Sequence, residues 1–334
     1  MTSRQTISPA SSSPGFFGRI AGWLGEPPHP HFVCEMGPAG VAAARVSGRG
    51  RRALESHAFE QLPKGAVVPS PVELNLVDPV AVGAALDRVL SRANGHGHAH
   101  EFALIVPDEV VRVFLLQFES FPKSSAEAAP LLRFRLRKSV PFESEEASVS
   151  YSLQPGGPPS APAGSIHVLA AIARQKIIRQ YEELLEARGQ RAGVVISSTL
   201  AALPLVDDAR PALLARLSGN TLTTAIVHSG ALAVYRCSAL HGAEESLVPR
   251  DLLDEIFPAI AYFQDTWSQS VAEVRLAGFG ARTDEFRSLL EAELHCRVTP
   301  VVASAALEGR LAGEERAQVD RVMEAAVGWM LHAQ

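Results

Sequence analysis

Apolar and polar positions along the chain alternate with two different periods. From residue 31, HFVCEM is a short apolar run that breaks at Gly37-Pro38-Ala39-Gly40 and resumes in VAAARV. Two apolar runs around a Gly-bearing turn predict a β-hairpin. EFALIV, VVRVFLLQF, ASVSYSL and SIHVLAAIA read as further strands, with a helix through PLLRFRLRKSV in which Pro130 is placed in the first turn, where its missing N–H costs nothing. Ile177, Tyr181, Leu184 and Leu185 recur at helical spacing, and Gly189 is positioned to cap that helix. A second hairpin, TLTTAIVHSGALAVYRC, turns at His228-Ser229-Gly230. A long helix follows with Leu253, Ile256, Phe257, Ile260 and Phe263 on one face and a kink expected at Pro258. The chain then reads as strand EVRLAGFGA, a helix over 283–294 with Asp284 and Glu285 in its first turn, strand RVTPVV, and a closing helix carrying Val319, Val322, Met323 and Ala326.

Breaks in this pattern divide the chain. Residues 1 to about 28 read as a flexible leader running into EPPHP at 26–30; the apolar cluster GFFGRIAGWLG within it carries two internal glycines and is read as tail rather than membrane anchor. RANGHGHAH at 92–100 and QPGGPPSAPAG at 154–164 are rich in turn residues. The expected organisation is a first lobe over 29–100, a small α+β insert over 101–164, and the remaining core with the second lobe over 165–334.

Composition narrows the function classes. With 334 residues, 47% hydrophobic and 20% charged, the chain has ample material for more than one core, and a net charge of −5 offers no global attraction for nucleic acid. Three scattered cysteines form neither a disulfide framework nor a metal motif, which fits a reducing compartment. No run of about 18 apolar residues occurs, so membrane association is expected through partners or a surface helix. His96, His98 and His100 alternate, but the glycine among them and the absence of a nearby Cys or carboxylate cluster favour a loop over a metal site. RGRR at 49–52 reads as a solvated hairpin end, and Glu143, Glu145 and Glu146 beside Pro141-Phe142 as a solvated turn or partner contact. No nucleophile elbow, P-loop or zinc-binding helix motif occurs.

Two hairpins, a late LAGFGA turn and an α+β insert behind the first hairpin form the layout of the actin-like ATPase superfamily. Within it the chain resembles the type IV pilus assembly protein PilM family, related to FtsA. The stretches that carry the resemblance are LIVPDEVVRVFLLQFESFP, LLRFRLRKSVPFESEEASVSYSL, VLAAIARQKIIRQYEELLEARGQ, EIFPAIAYFQDTW and VRLAGFGARTDEFRSLLEAEL, together spanning about residues 29–332. What the resemblance implies is an α/β, actin-like (ribonuclease H-like) two-lobed fold with a small inserted subdomain. It also implies a scaffold at the cytoplasmic face of the inner membrane that docks the PilN cytoplasmic tail, reaches PilO indirectly and connects to the pilus assembly motor ATPase; self-association stays open.

The resemblance further implies an ATP and magnesium site at two Asp-x-Gly hairpins. Here the first hairpin has Glu35-Met36-Gly37 followed by Pro38, which lacks a backbone donor, and the second has His228-Ser229-Gly230. Gly278 and Gly280 keep the adenosine-side turn, although Phe279 separates them. Glu35, Gly37, Gly230, Gly278 and Gly280 are thus expected to form a degenerate nucleotide site without catalytic or metal-holding residues. The alternatives are an active actin-fold ATPase or kinase, which magnesium-dependent turnover would reveal, and a GspL-like type II secretion component, which shares the fold.

Overall fold

In the computed structural model, residues 29–47, 52–94, 100–240, 247–309 and 311–332 are described. The leader 1–28, most of RGRR, and His96 and His98 lie outside them. Two five-stranded sheets repeat one design. In the first, β1 (Phe32–Met36), β2 (Gly40–Val46) and β3 (Leu54–Gln61) are antiparallel, while β4 (Glu101–Val106) and β8 (Arg191–Ser197) continue parallel to β1, in the order β3-β2-β1-β4-β8. In the second, β9 (Ala212–Ser218), β10 (Thr221–His228) and β11 (Ala231–Ala239) form the antiparallel part and β12 (Glu273–Ala277) and β13 (Arg297–Pro300) the parallel part, in the order β11-β10-β9-β12-β13. Strand for strand, β9 therefore takes the place of β1 and β10 that of β2.

The apolar runs become strands because most are covered on both faces, and sheets covered on both faces carry continuous rather than alternating hydrophobicity. Helices α1 (Pro79–Asn94) and α3 (Gln175–Glu186) cover the outer face of the first sheet with Val82, Leu86, Val89, Ile177, Tyr181 and Leu185. The long helix α5 (Pro249–Trp267) and α6 (Thr283–Leu294) cover the outer face of the second sheet. Between the sheets lie α4 (Ser198–Ala202) and the C-terminal α8 (Glu324–His332). Val327, Trp329 and Met330 of α8 pack on Val33, Ala42 and Ile105 of the first sheet, and Leu200 and Ala202 of α4 pack on the second. Gly328 makes this middle layer thin, because a Cβ there would run into the Ala201 carbonyl and the Ala202 backbone. Trp329 Nε1 donates to the Pro30 carbonyl at 3.1 Å and its ring stacks on His29, fixing the approach to β1.

The insert is a three-stranded antiparallel sheet, β5-β7-β6, of β5 (Arg112–Phe118), β6 (Ala147–Leu153) and β7 (Ile166–Arg174), with α2 (Ser125–Leu136) on one face. The strand at 101–106, expected in the insert, pairs with β1 instead, and β7, beyond the expected boundary at 164, pairs with β5 and β6. Pairing across the sheet, rather than the position of the turn-rich segments, sets the unit. Pro130 is also not in the first turn of its helix. The helix starts at Ser125, with the Ser124 hydroxyl accepting from the Glu127 N–H at 3.3 Å, so the proline falls inside it. Helix α5 continues through Pro258, with Leu253, Ile256, Ile260 and Phe263 buried as their spacing predicts, whereas Phe257 is 58% exposed. The expected closing helix is two: α7 (Gly313–Val322) and α8, separated at Met323. Among the described residues no helix is long and apolar enough to cross a membrane.

Candidate site in the cleft between the lobes

β1 is parallel to β4, and β9 is parallel to β12, so each lobe presents its C-terminal strand ends and one hairpin turn at the same edge. These two edges meet. From the first lobe come Glu35 at the end of β1, Asp108 and Glu109 in the turn after β4, and Glu324 at the start of α8. From the second come Arg216 near the end of β9, Thr221 at the start of β10, Tyr235 on β11 and Gly278 just after β12.

Two hydrogen bonds join them across the cleft. Arg216 Nη2 donates to Glu35 Oε1 at 3.2 Å, with the two side chains 11% and 14% exposed. The Tyr235 hydroxyl donates to Asp108 Oδ1 at 3.2 Å. Thr221 and Gly278 of the second lobe sit close enough to the Glu109 and Glu324 carboxyls to counter part of the rise that burial gives them. The first lobe thus supplies acceptors and the second donors. Asp108 is further held by the Thr199 backbone N–H at 2.8 Å and by the Thr199 hydroxyl, which ties it to the first turn of α4.

Electrostatics follow from four carboxyls facing one guanidinium in a dry place. Burial pushes Glu35 up to about 7; Arg216 pulls it back down, while Glu324 and Asp108 add to the rise. Burial likewise raises Glu109 and Glu324. Burial opposes the Arg216 charge, but Glu35, Asp108, Glu324 and Glu109 outweigh it and hold the guanidinium above its ordinary value. Burial, reinforced by Asp108, raises the Tyr235 hydroxyl well above its usual value, so it stays a donor.

The sequence-predicted residues divide. Glu35, Gly37 and Gly278 lie along the facing edges, and Gly280 follows Gly278 in the same turn. Gly230 does not join them. It sits in the β10–β11 turn, at the other end of β10, where its N–H donates to Asp208 Oδ2 at 2.7 Å and Pro155 of the insert is its neighbour. The hairpin that matches β1–β2 in sheet order is β9–β10, turning at Gly219-Asn220. The residue two positions before the end of β9 is Arg216, an arginine where the resemblance implies an aspartate. Gly278 has a structural reason of its own: its φ is +79°, and a Cβ would strike the Leu217 carbonyl of the adjacent strand. Phe279 is buried in the second lobe with its ring centroid 5.1 Å from Phe286, in the core rather than in the cleft. His100, the described member of the histidine triplet, stacks on Phe32 at 4.1 Å. Among the described residues, no three His, Cys, Asp or Glu side chains converge well enough to hold a metal.

A magnesium–nucleotide complex does not fit these residues. The cation seat at Glu35 is taken by a guanidinium, and three further acids beside it would repel a polyphosphate.

Comparison with solved structures agrees with the architecture. The PilM–PilN type IV pilus biogenesis complex superposes with a TM-score of 0.74 at 17% identity, covering 92% of this chain and 100% of that one. The chain shares the fold of PilM. The fold is accordingly the actin-like, two-lobed one that the sequence resemblance implied, and identity this low speaks to fold alone. A Bacteroides thetaiotaomicron protein with an actin-like ATPase fold and unknown function reaches 0.48 at 12% identity over 90% of this chain and 95% of that one. The cytoplasmic domain of EpsL, an inner-membrane component of the Vibrio cholerae type II secretion system, reaches 0.44 at 13% identity over 73% and 80%. No family model matches the sequence, and neither does any curated protein.

Proposed function

We propose that this chain is a PilM-like scaffold of type IV pilus biogenesis, which docks the cytoplasmic tail of a PilN-type membrane protein at the inner membrane and performs no nucleotide chemistry. The observation that carries the reading is the Glu35–Arg216 pair. Phosphoryl transfer depends on placed charge and metal, and here the protein's own cation neutralises the carboxylate on which a metal would rest. PilO is reached through the PilN-type protein, and the motor ATPase supplies the work.

The docking surface we favour is the junction of the first lobe and the insert. Val68, Leu74, Val77 and Val80 are between 49% and 79% exposed on the segment leading from β3 into α1. Arg174 at the end of β7 donates to the Val72 carbonyl at 2.9 Å and pairs with Glu146 at 3.0 Å, so the segment is pinned against the insert. An apolar peptide can lie there without any chemistry.

Calorimetric titration with Mg-ATP and with a peptide copying the PilN tail of the same organism tests both halves. The expected result is peptide binding, lost at least tenfold in Val77→Asp/Val80→Asp, with no heat from Mg-ATP. Tight magnesium-dependent nucleotide binding without peptide binding overturns the reading and restores the ATPase alternative.

A further inference from the structure

The solvent face of α2 is the outermost surface of the insert. Ala128, Leu132 and Leu136 turn inward onto Tyr151, Val168, Ala170 and Ile172, whereas Leu169 and Ala173, on the other face of β7, join the cores of the two lobes. Whatever α2 shows to solvent therefore points away from both lobes.

Its last turn and the two residues after it run Arg133-Phe134-Arg135-Leu136-Arg137-Lys138, four cations in six residues of a chain whose net charge is −5; Leu136 turns inward, Arg133 is half-buried, and the other four are exposed. Phe134 is 62% exposed, and the Arg137 guanidinium lies over its ring, 4.3 Å from the centroid. Arg133 Nε donates to the Ala147 carbonyl at 3.2 Å. Among the described residues none of these four forms an ion pair with a carboxylate, although arginines elsewhere on the surface do so routinely: Arg88 and Arg92 on Glu60, Arg179 on Glu186, Arg188 on Asp87. The acids next along the chain are Glu143, Glu145 and Glu146, of which Glu146 is engaged by Arg174 and Glu145 accepts from the Ser144 hydroxyl.

We propose that this face is a contact surface for anionic phospholipid. Cations uncompensated by the protein's own acids are complementary to a negative headgroup layer, and their aliphatic stems, together with an exposed phenylalanine, suit the apolar level just beneath it. An acidic protein partner would use the charges but leave Phe134 without a role, and an outward-facing helix meets a flat bilayer more fully than it meets a groove. The proposal does not rest on the tail-docking reading, because lipid alone is the ligand.

The test is sedimentation of the full chain with phosphatidylcholine vesicles and with vesicles containing about 30 mol% phosphatidylglycerol, at low and high salt. Binding is expected to the anionic vesicles only and to weaken with salt. Each basic residue near such a surface is worth about fivefold in partitioning, so Arg135→Gln/Arg137→Gln/Lys138→Gln should bind about a hundredfold more weakly. Phe134→Ser should also weaken binding. These side chains face solvent, so an unchanged melting temperature shows that each variant is folded. Two results overturn the proposal: equal partitioning onto neutral and anionic vesicles, or none; and a triple variant that binds like wild type, which would move the contact to another surface.

Discussion

Removing one partner of the cleft pair is the most direct way to weigh it. In Arg216→Ala the Glu35 carboxyl stays buried beside Asp108, Glu109 and Glu324 with its cation gone. At 3.2 Å, the Coulomb attraction in an effective dielectric of about 20 is about 5 kcal/mol. Desolvation of both groups offsets part of it, and breaking comparable buried pairs costs about 3–5 kcal/mol. With both side chains under 15% exposed, solvent screening reduces this little. The expected loss is therefore about 3–5 kcal/mol, or roughly 6–15 °C in melting temperature. The deficit also has a pH signature. The folded-state value of Glu35 lies at about 7 against an ordinary 4.5, so its contribution is fully present below the unfolded value and is lost as pH rises through the folded one. Losing Arg216 strengthens the upward push, so the deficit should be largest at pH 8 and shrink toward pH 5. Adding Glu35→Leu to Arg216→Met should recover part of the loss, since an apolar pair replaces an orphaned charge. Thermal and urea unfolding at the two pH values read all of this. A loss below about 1 kcal/mol, a deficit that grows in acid, or a double variant no better than the single would refute the account.

Three other outcomes are expected. Gly278→Ala places a Cβ against the Leu217 carbonyl at φ +79°, and urea unfolding should register a loss of at least about 2 kcal/mol from strain and clash. Trp329→Phe removes the bond to Pro30 and the stack on His29; it should cost about 1–2 kcal/mol and hasten proteolytic cutting near residue 30. Burial holds His332 down at about 3, against backbone hydrogen bonds to Leu200 and Ala201. A depressed histidine favours the fold above its unfolded value and loses that stability as pH falls from about 6.5 toward 3, so His332→Gln should flatten the acid limb of a melting-temperature profile.

Element types were legible where apolar runs were long, and the two-lobed class followed from the layout of hairpins and insert. What could not be read was which hairpin answers to which. His228-Ser229-Gly230 and Ser218-Gly219-Asn220 both offer a glycine between apolar runs, and only the order of strands in the sheet shows that β9–β10 matches β1–β2. Arg216 was passed over for that reason: its meaning comes from Glu35, 181 positions away. Glu324 was hidden inside a pattern that looked like one helix, although the break at Met323 makes it the first residue of the next. One missed signal was local. Ser124-Ser125-Ala126-Glu127 has the spacing of a helix start, and it outweighs the preference of Pro130 for a first turn.

The middle layer also sets an order of assembly. The second sheet draws all its strands from residues 212–300 and covers its outer face with helices from the same stretch. The first sheet is complete by residue 197, yet one of its faces waits for α8, whose Trp329 reaches back across 299 positions to Pro30. On a chain emerging from its N-terminus, the lobe that begins first is therefore the lobe that finishes last. Until residues 324–332 arrive, Val33, Ala42 and Ile105 lack their cover, which makes this interval the point at which a chaperone or a stray neighbour would find the nascent protein most adhesive.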